Sequence, residues 1–285
     1  YKLIYFDKKK LDLKNQSKVF KYLKKYRPDS VILAAAKVGG INANNTLRAS
    51  FLYDNISIQN NVIHGSYLSG VKNLIFLGSS CIYPKFSKQP IKEKYLLSSP
   101  LEKTNEPYAI AKIAGLKLCE NYSKQYNLNY KTLMPCNSYG KNDNYDLSSS
   151  HFLPALIKKI VDAIRQNKKT IKIWGNGKAL RELIFSDDIA RACEYFLTKK
   201  TKSNIINIGT GKDYSIKYYA KFIMKKLNVN LKIVYDRTKP NGTHRKLLDS
   251  NLAKKYGWEP KFHFEKGIPI AINDYLKNHL QSSKK

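Results

Sequence analysis

Hydrophobic positions follow two rhythms along this chain. Short unbroken apolar runs at Ser30–Ala36, Asn73–Gly78, Tyr130–Met134 and Asn204–Gly209 read as strands buried on both faces, and Lys2–Tyr5 reads as another. Between them, Ser17–Tyr26 is amphipathic and stops before Pro28, while the Pro-free stretch Arg48–Ser69 and the segment Tyr108–Tyr126 have helical spacing. After Tyr139-Gly140 the texture changes. Residues 141–150 are polar and loop-like, His151–Gln166 is helical, and Thr170–Trp174 is a short strand. Ser186–Leu197 opens on Ser-Asp-Asp, a good cap and first turn, and Ser215–Leu227 and Phe264–Leu280 complete the helices.

Continuous apolar strands alternating with helices predict an α/β fold: a doubly wound, parallel Rossmann-type sheet. The expected division is a dinucleotide-binding domain at residues 1–140 and a smaller α/β substrate lobe, mainly 141–285, with 186–212 rejoining the first. Such a sheet needs a first strand and a Gly-rich turn that aims backbone amides at a pyrophosphate. No G-x-x-G-x-x-G or G-x-G-x-x-G occurs, and Gly39-Gly40 lacks the remaining glycine. The chain therefore reads as starting at the second strand, a fragment short of about 30 residues, the size of a βαβ half-unit. The alternative is a protein that has lost its cofactor.

Composition narrows the field. The formal charge is +31, which ordinarily suggests nucleic acid. Only seven of the 52 basic residues are Arg, however, and the Lys are spread over predicted helix surfaces. No nucleic-acid partner is expected, although a basic surface attracts anionic nucleotides. No apolar run reaches the roughly 18 residues of a membrane span, so no membrane association is expected. Cys81, Cys119, Cys136 and Cys193 are widely spaced, which suggests neither a zinc site nor a disulfide framework and fits a cytoplasmic protein.

Chemistry concentrates at Tyr108 and Lys112. Their i, i+4 spacing places both on one helix face. A phenol beside an ammonium has its anion stabilised, so the pKa of Tyr108 is expected to fall toward the working range of an acid or base. Ser79, in Gly78-Ser79-Ser80-Cys81 at the end of an apolar strand, offers a hydroxyl to the same carbonyl. Tyr, Lys and Ser together suit proton-coupled hydride transfer to a ketone.

Longer motifs extend the pattern. Ala34–Ile41 (AAAKVGGI), Gly78–Lys85 (GSSCIYPK), Thr104–Lys112 (TNEPYAIAK), Met134–Gly140 (MPCNSYG), Trp174–Gly177 with Arg181-Glu182, and Lys239–Leu247 (KPNGTHRKL) resemble the GDP-L-fucose synthase family of extended short-chain dehydrogenases/reductases. The resemblance spans essentially the whole chain. It implies 3,5-epimerisation of GDP-4-keto-6-deoxy-D-mannose, then reduction of the C4 ketone with NADPH, by a homodimer built through the helices near Arg48–Ser69 and Tyr108–Tyr126. It implies that Tyr108 protonates the C4 oxygen, Lys112 holds the nicotinamide ribose, and Ser79 orients the carbonyl. C3 and C5 both flank the ketone, so their protons are acidified. Cys81 and His151 match the family's base and acid, and both titrate near neutrality when perturbed. By the same resemblance Asp12, Leu13, Ala34, Ala35, Lys37, Leu77, Gly78, Pro135, Asn137 and His151 join Tyr108 and Lys112 around NADPH. Lys159, Trp174, Arg181 and Lys246 meet the GDP-sugar.

Departures leave alternatives open. Phe6 stands where the family has an Arg for the 2′-phosphate, with Lys8, Lys9 and Lys10 behind it, so the choice between NADPH and NADH is open. Lys159 keeps a charge where Arg is usual but loses the bidentate fork. A related nucleotide-sugar epimerase or dehydratase is the second enzymatic reading; a dehydratase would place acidic residues near Ser79. A nucleotide-sugar-binding pseudoenzyme is the reading of another class.

Overall fold

The computed structural model describes residues 1–239 and 242–280. Its elements are α1 (Gln16–Tyr26), β1 (Ser30–Leu33), α2 (Ile41–Thr46), α3 (Arg48–Leu68), β2 (Asn73–Leu77), α4 (Glu106–Tyr126), β3 (Asn129–Pro135), β4 (Asn137–Tyr139), α5 (Phe152–Arg165) and β5 (Thr170–Trp174). There follow β6 (Leu180–Phe185), α6 (Ser186–Thr198), β7 (Ile205–Ile208), β8 (Asp213–Ser215), α7 (Ile216–Lys226), β9 (Lys232–Asp236), β10 (Arg245–Lys246), α8 (Asn251–Lys255) and α9 (Phe264–Leu280).

Strands β1, β2, β3 and β7 form one parallel sheet in that order. Alternation along β2 explains why its whole run is apolar. Leu74 and Phe76 pack with Val19, Val62 and Ile63 of α1 and α3, while Ile75 packs with Leu133 and with Phe196 of α6 on the other face. Helices α3 and α4 approach closely at Gly115, where a Cβ would lie 2.7 Å from both Gln59 Oε1 and Phe76 Cζ.

Two strand expectations change. Residues 2–5 form no strand, and Tyr1, Leu3 and Tyr5 are exposed. An extended segment becomes a strand only when a neighbour takes its amides and carbonyls, and among the described residues none pairs with these. The outer edge of β1 is likewise unpaired among the described residues, leaving Ile32 46 % exposed. The strand at Ser30 ends at Leu33, not Ala36, because its register against β2 ends at the Leu33–Phe76 pair and the chain then turns into the cleft.

A second core joins α5, α7 and α9 through Leu153, Ile157, Ile160, Ile223, Phe264 and Ile268. Strand β6 runs beneath it, flanked by parallel β10 and β4, with β8 antiparallel. Strands β5 and β9 pair separately. The carboxyl ends of β1, β2 and β3, where doubly wound sheets bind ligands, thus face residues delivered by β6, β10 and the start of α5.

Candidate active site

Lys112 projects from α4 into the sheet's carboxyl end and is 3 % exposed. Its ammonium donates to the Leu77 carbonyl at 2.7 Å and lies 4.5 Å from the Phe76 ring centroid. An ammonium has three donors, yet no carboxylate among the described residues meets this one, and burial lowers its pKa to about 8. Tyr108, one turn earlier, packs edge-on against Phe51. Its pKa is raised, not lowered. Burial is the main cause, the charge of Cys81 adds to it, and the Ser79 hydroxyl opposes. The adjacency of Lys112 does not prevail because its ammonium is turned to Leu77 O and stands 5.8 Å from the Tyr108 ring centroid. Tyr108 is therefore a neutral phenol.

Ser79 caps the 3-10 turn Ser80–Ile82, its Oγ accepting the Cys81 N–H at 3.2 Å. Cys81 sits half-buried on that turn, with the Lys246 ammonium 3.4 Å from its sulfur. Burial alone would raise the thiol's pKa. The Lys246 charge, hydrogen bonds from Ser79 and Lys246, and the Arg181 charge together outweigh it and hold the thiol below its ordinary value. Lys246 and Arg181 are paired residues on β10 and β6, which places two cations side by side over Cys81.

His151 precedes α5 and opens to the cleft. The protein packed around its ring lowers its pKa, Asp143 opposes this, and the Lys246 charge adds to it. The Gly39-Gly40 turn holds this loop in place: the Gly40 N–H donates to Ser149 O at 2.8 Å, and a Cβ on Gly40 would stand 2.8 Å from Ser150 O. The paired glycines thus serve close backbone approach.

Ala34 and Ala35 are exposed just beyond β1, and Lys37 follows. Asn55 grips both the N–H and the carbonyl of Lys37, at 2.8 and 3.0 Å. Asp54 joins Lys37 to Lys14, while Asn61 donates to the Leu13 and Lys14 carbonyls. The Asp12-Leu13 loop is thereby tied to the end of β1. Gly78, Pro135 and Asn137 line the ends of β2 and β3, the Asn137 amide donating to Glu182 O at 2.7 Å.

The described residues fit the nicotinamide–ribose end of a dinucleotide. A buried ammonium with spare donors and a neutral phenol beside the carboxyl ends of the strands supply polar groups for it. The sequence contains no glycine-rich turn for the pyrophosphate.

A family model for the NAD dependent epimerase/dehydratase family matches residues 4–209. The chain belongs to this family. It is 47% identical to a GDP-L-fucose synthase of Sinorhizobium fredii over 97% of its length and 88% of the relative's. It is 44% identical to a GDP-L-fucose synthase of Escherichia coli over 94% and 86%. A solved GDP-L-fucose synthetase from Naegleria fowleri, bound to NADP, superposes with a TM-score of 0.87 at 26% identity, covering 97% of this chain and 86% of that one.

The four residues expected to meet the GDP-sugar fall into two groups. Lys246 meets Cys81, and the Arg181 charge acts on the same thiol. Lys159 and Trp174 lie together elsewhere, with the Lys159 ammonium 5.5 Å from the indole centroid and donating to Lys172 O. Lys239, absent from the sequence-based set, stands 5.7 Å from the same ring. Its place in the Lys239–Leu247 motif was the available signal. Arg181 differs from a free phosphate clamp: Nη1 donates to the Thr243 and Leu180 carbonyls at 2.7 Å, so part of its fork fastens the loop. In the sequence Glu182 stands out only as the neighbour of Arg181; its burial has no sequence signature.

Proposed function

We propose that this protein is a GDP-L-fucose synthase: it epimerises C3 and C5 of GDP-4-keto-6-deoxy-D-mannose and then reduces C4. The observation that carries the reading is the joining of two chemistries in one cleft, the Ser79–Tyr108–Lys112 set of a ketone reductase and the Cys81–Lys246–His151 set of a proton exchanger. The relatives' activities support it.

The cofactor is NADP, and the reduced form supplies hydride to C4. Tyr108 and Ser79 donate hydrogen bonds to the C4 oxygen, which stabilises the enolate formed when C3 or C5 loses its proton. Cys81, biased toward thiolate by two cations, removes that proton. His151, opening to the cleft, returns one to the opposite face; its lowered pKa makes the imidazolium a stronger donor. During reduction Tyr108 gives its proton to the C4 oxygen. Lys112 holds the nicotinamide ribose. Lys159, Trp174 and Lys239 present charge and a flat ring to the GDP. A cytoplasmic homodimer assembled through α3 and α4 completes the reading, supported by exposed Tyr53, Leu68 and Ile110 on those helices. No described helix is long and apolar enough to cross a membrane.

The test is to give the full-length protein GDP-4-keto-6-deoxy-D-mannose and NADPH in D2O. GDP-L-fucose carrying deuterium at C3 and C5 is expected. Tyr108→Phe should slow NADPH oxidation by about 10²–10⁴-fold while deuterium still enters C3 and C5. A folded wild-type protein that binds the GDP-sugar but neither exchanges nor reduces it overturns the assignment.

A further inference from the structure

Glu182 is fully buried (0 % exposed), and its carboxylate meets no cation among the described residues. Buried Asp188, by contrast, pairs with Arg191, and Asp213 pairs with Arg245. An unpaired buried carboxylate is costly, and such a group ordinarily neutralises or finds donors. Glu182 does both. Burial pushes its pKa up to about 7. Its two oxygens accept backbone amides from separate segments, Oε1 from Gly211 at 2.7 Å and Oε2 from Leu248 at 2.8 Å. The fit is close enough that a Cβ on Gly209 would run into Oε1.

The Leu248 contact bears on the proton-exchange centre. Leu248 lies two residues beyond Lys246, on the segment that continues β10, the strand that carries the ammonium to Cys81. That strand is pinned on one side by Gln89, which accepts the Leu247 N–H at 2.9 Å, and by Ile91, which bonds Leu247 O and the Asp249 N–H. On the other side β10 pairs with β6, Lys246 opposite Arg181, and the next residue of β6 is Glu182. The carboxylate thus fastens the continuation of β10 to β6 and to the loop after β7.

We infer that Glu182 is a positioning residue for the epimerising half of the reaction: by gripping the Leu248 and Gly211 amides it holds the Lys246 ammonium against the Cys81 sulfur. This rests on the proposed function for its chemistry but not for its geometry, and the two can be tested apart. Glu182→Gln keeps the shape and turns one oxygen into an NH2 facing an amide N–H. Alkylation of Cys81 by iodoacetamide, followed against pH without substrate, reads the thiolate directly, since Cys119, Cys136 and Cys193 are buried. The charged and titratable groups facing that sulfur are Lys246, Arg181 and Tyr108, with the Ser79 hydroxyl. In a folded E182Q the alkylation inflection should move up toward an ordinary thiol. Deuterium exchange at C3 and C5 should fall at least about tenfold, the change that one unit of pKa represents, through kcat and not KM. Glu182→Asp, which keeps the charge but shortens the reach, should move both readouts in the same direction and decides the matter if E182Q does not fold. An unchanged inflection in either folded variant overturns the inference. If the wild-type protein forms no GDP-L-fucose but E182Q still shows the shifted inflection, the proposed function falls and the positioning role stands.

Discussion

A single ammonium governs two titrations in this site. The Lys246 charge favours the Cys81 thiolate and disfavours the His151 imidazolium, so it lowers both pKa values. If Cys81 acts as thiolate and His151 as its conjugate acid, proton exchange follows a bell against pH, failing on the acid limb when sulfur is protonated and on the alkaline limb when imidazole is neutral. Removing the charge raises both values. Lys246→Met should therefore carry the whole bell to higher pH by on the order of one unit, as well as lowering its height. Deuterium entry at C3 and C5, measured as kcat/KM across pH, checks this. Limbs moving in opposite directions, or not at all, would show that Lys246 only binds substrate. Tyr108 behaves differently, because burial and the sulfur's charge keep it protonated through the neutral range.

Backbone contacts decide whether these side chains meet. A Cβ on Gly40 would stand 2.8 Å from Ser150 O, and the turn that Gly40 belongs to anchors the loop that delivers His151. Gly40→Ala should displace that loop, slowing C3 and C5 exchange by about tenfold or more while the melting temperature changes little; full exchange activity would mean that the loop is held from elsewhere. The long helices and the strands of the first sheet were legible in the sequence because each carries its own periodicity, whereas the short α2, α8 and β4 hold too few residues to show one. So was the Tyr108–Lys112 pair, because four residues is one helical turn. Strands β6, β8, β9 and β10 were not legible. β10 is two residues long, β6 is interrupted by Arg181 and Glu182, and each exists through hydrogen bonds from segments far away in sequence. The contact between Lys246 and Cys81, and the burial of Glu182, arise from that same distant pairing. Residues 2–5 erred the other way, apolar enough for a strand but lacking a neighbour to bond.

Over the whole molecule, the functional charges work against stability. Lys112 has a folded pKa near 8 against 10.5 for an ordinary lysine. Below about pH 8 both states carry the proton, and the folded protein bears the full cost of burying it, roughly 3 kcal/mol. Between about 8 and 10.5 the unfolded chain binds more protons than the folded one, so this contribution to stability rises with pH; above that range the cost is gone. Lys112→Met removes the charge and also the hydrogen bond to Leu77 O, itself about 1 kcal/mol. The variant should thus be more stable than wild type at pH 7 by about 2 kcal/mol, several degrees in melting temperature, while losing ketone reduction. Lys131, buried in β3 with its pKa also lowered to about 8, is present in both proteins and cancels from the comparison. The raised tyrosines cancel likewise, although they make both proteins lose stability above about pH 10, where an unfolded phenol ionises. Melting curves without cofactor at pH 7 and pH 10 measure the gap, which should narrow as pH rises. A variant less stable than wild type at pH 7, or a gap unchanged at pH 10, would mean that the Leu77 carbonyl and the Phe76 ring already compensate the buried ammonium, and that Lys112 is retained for the fold and not for the ketone.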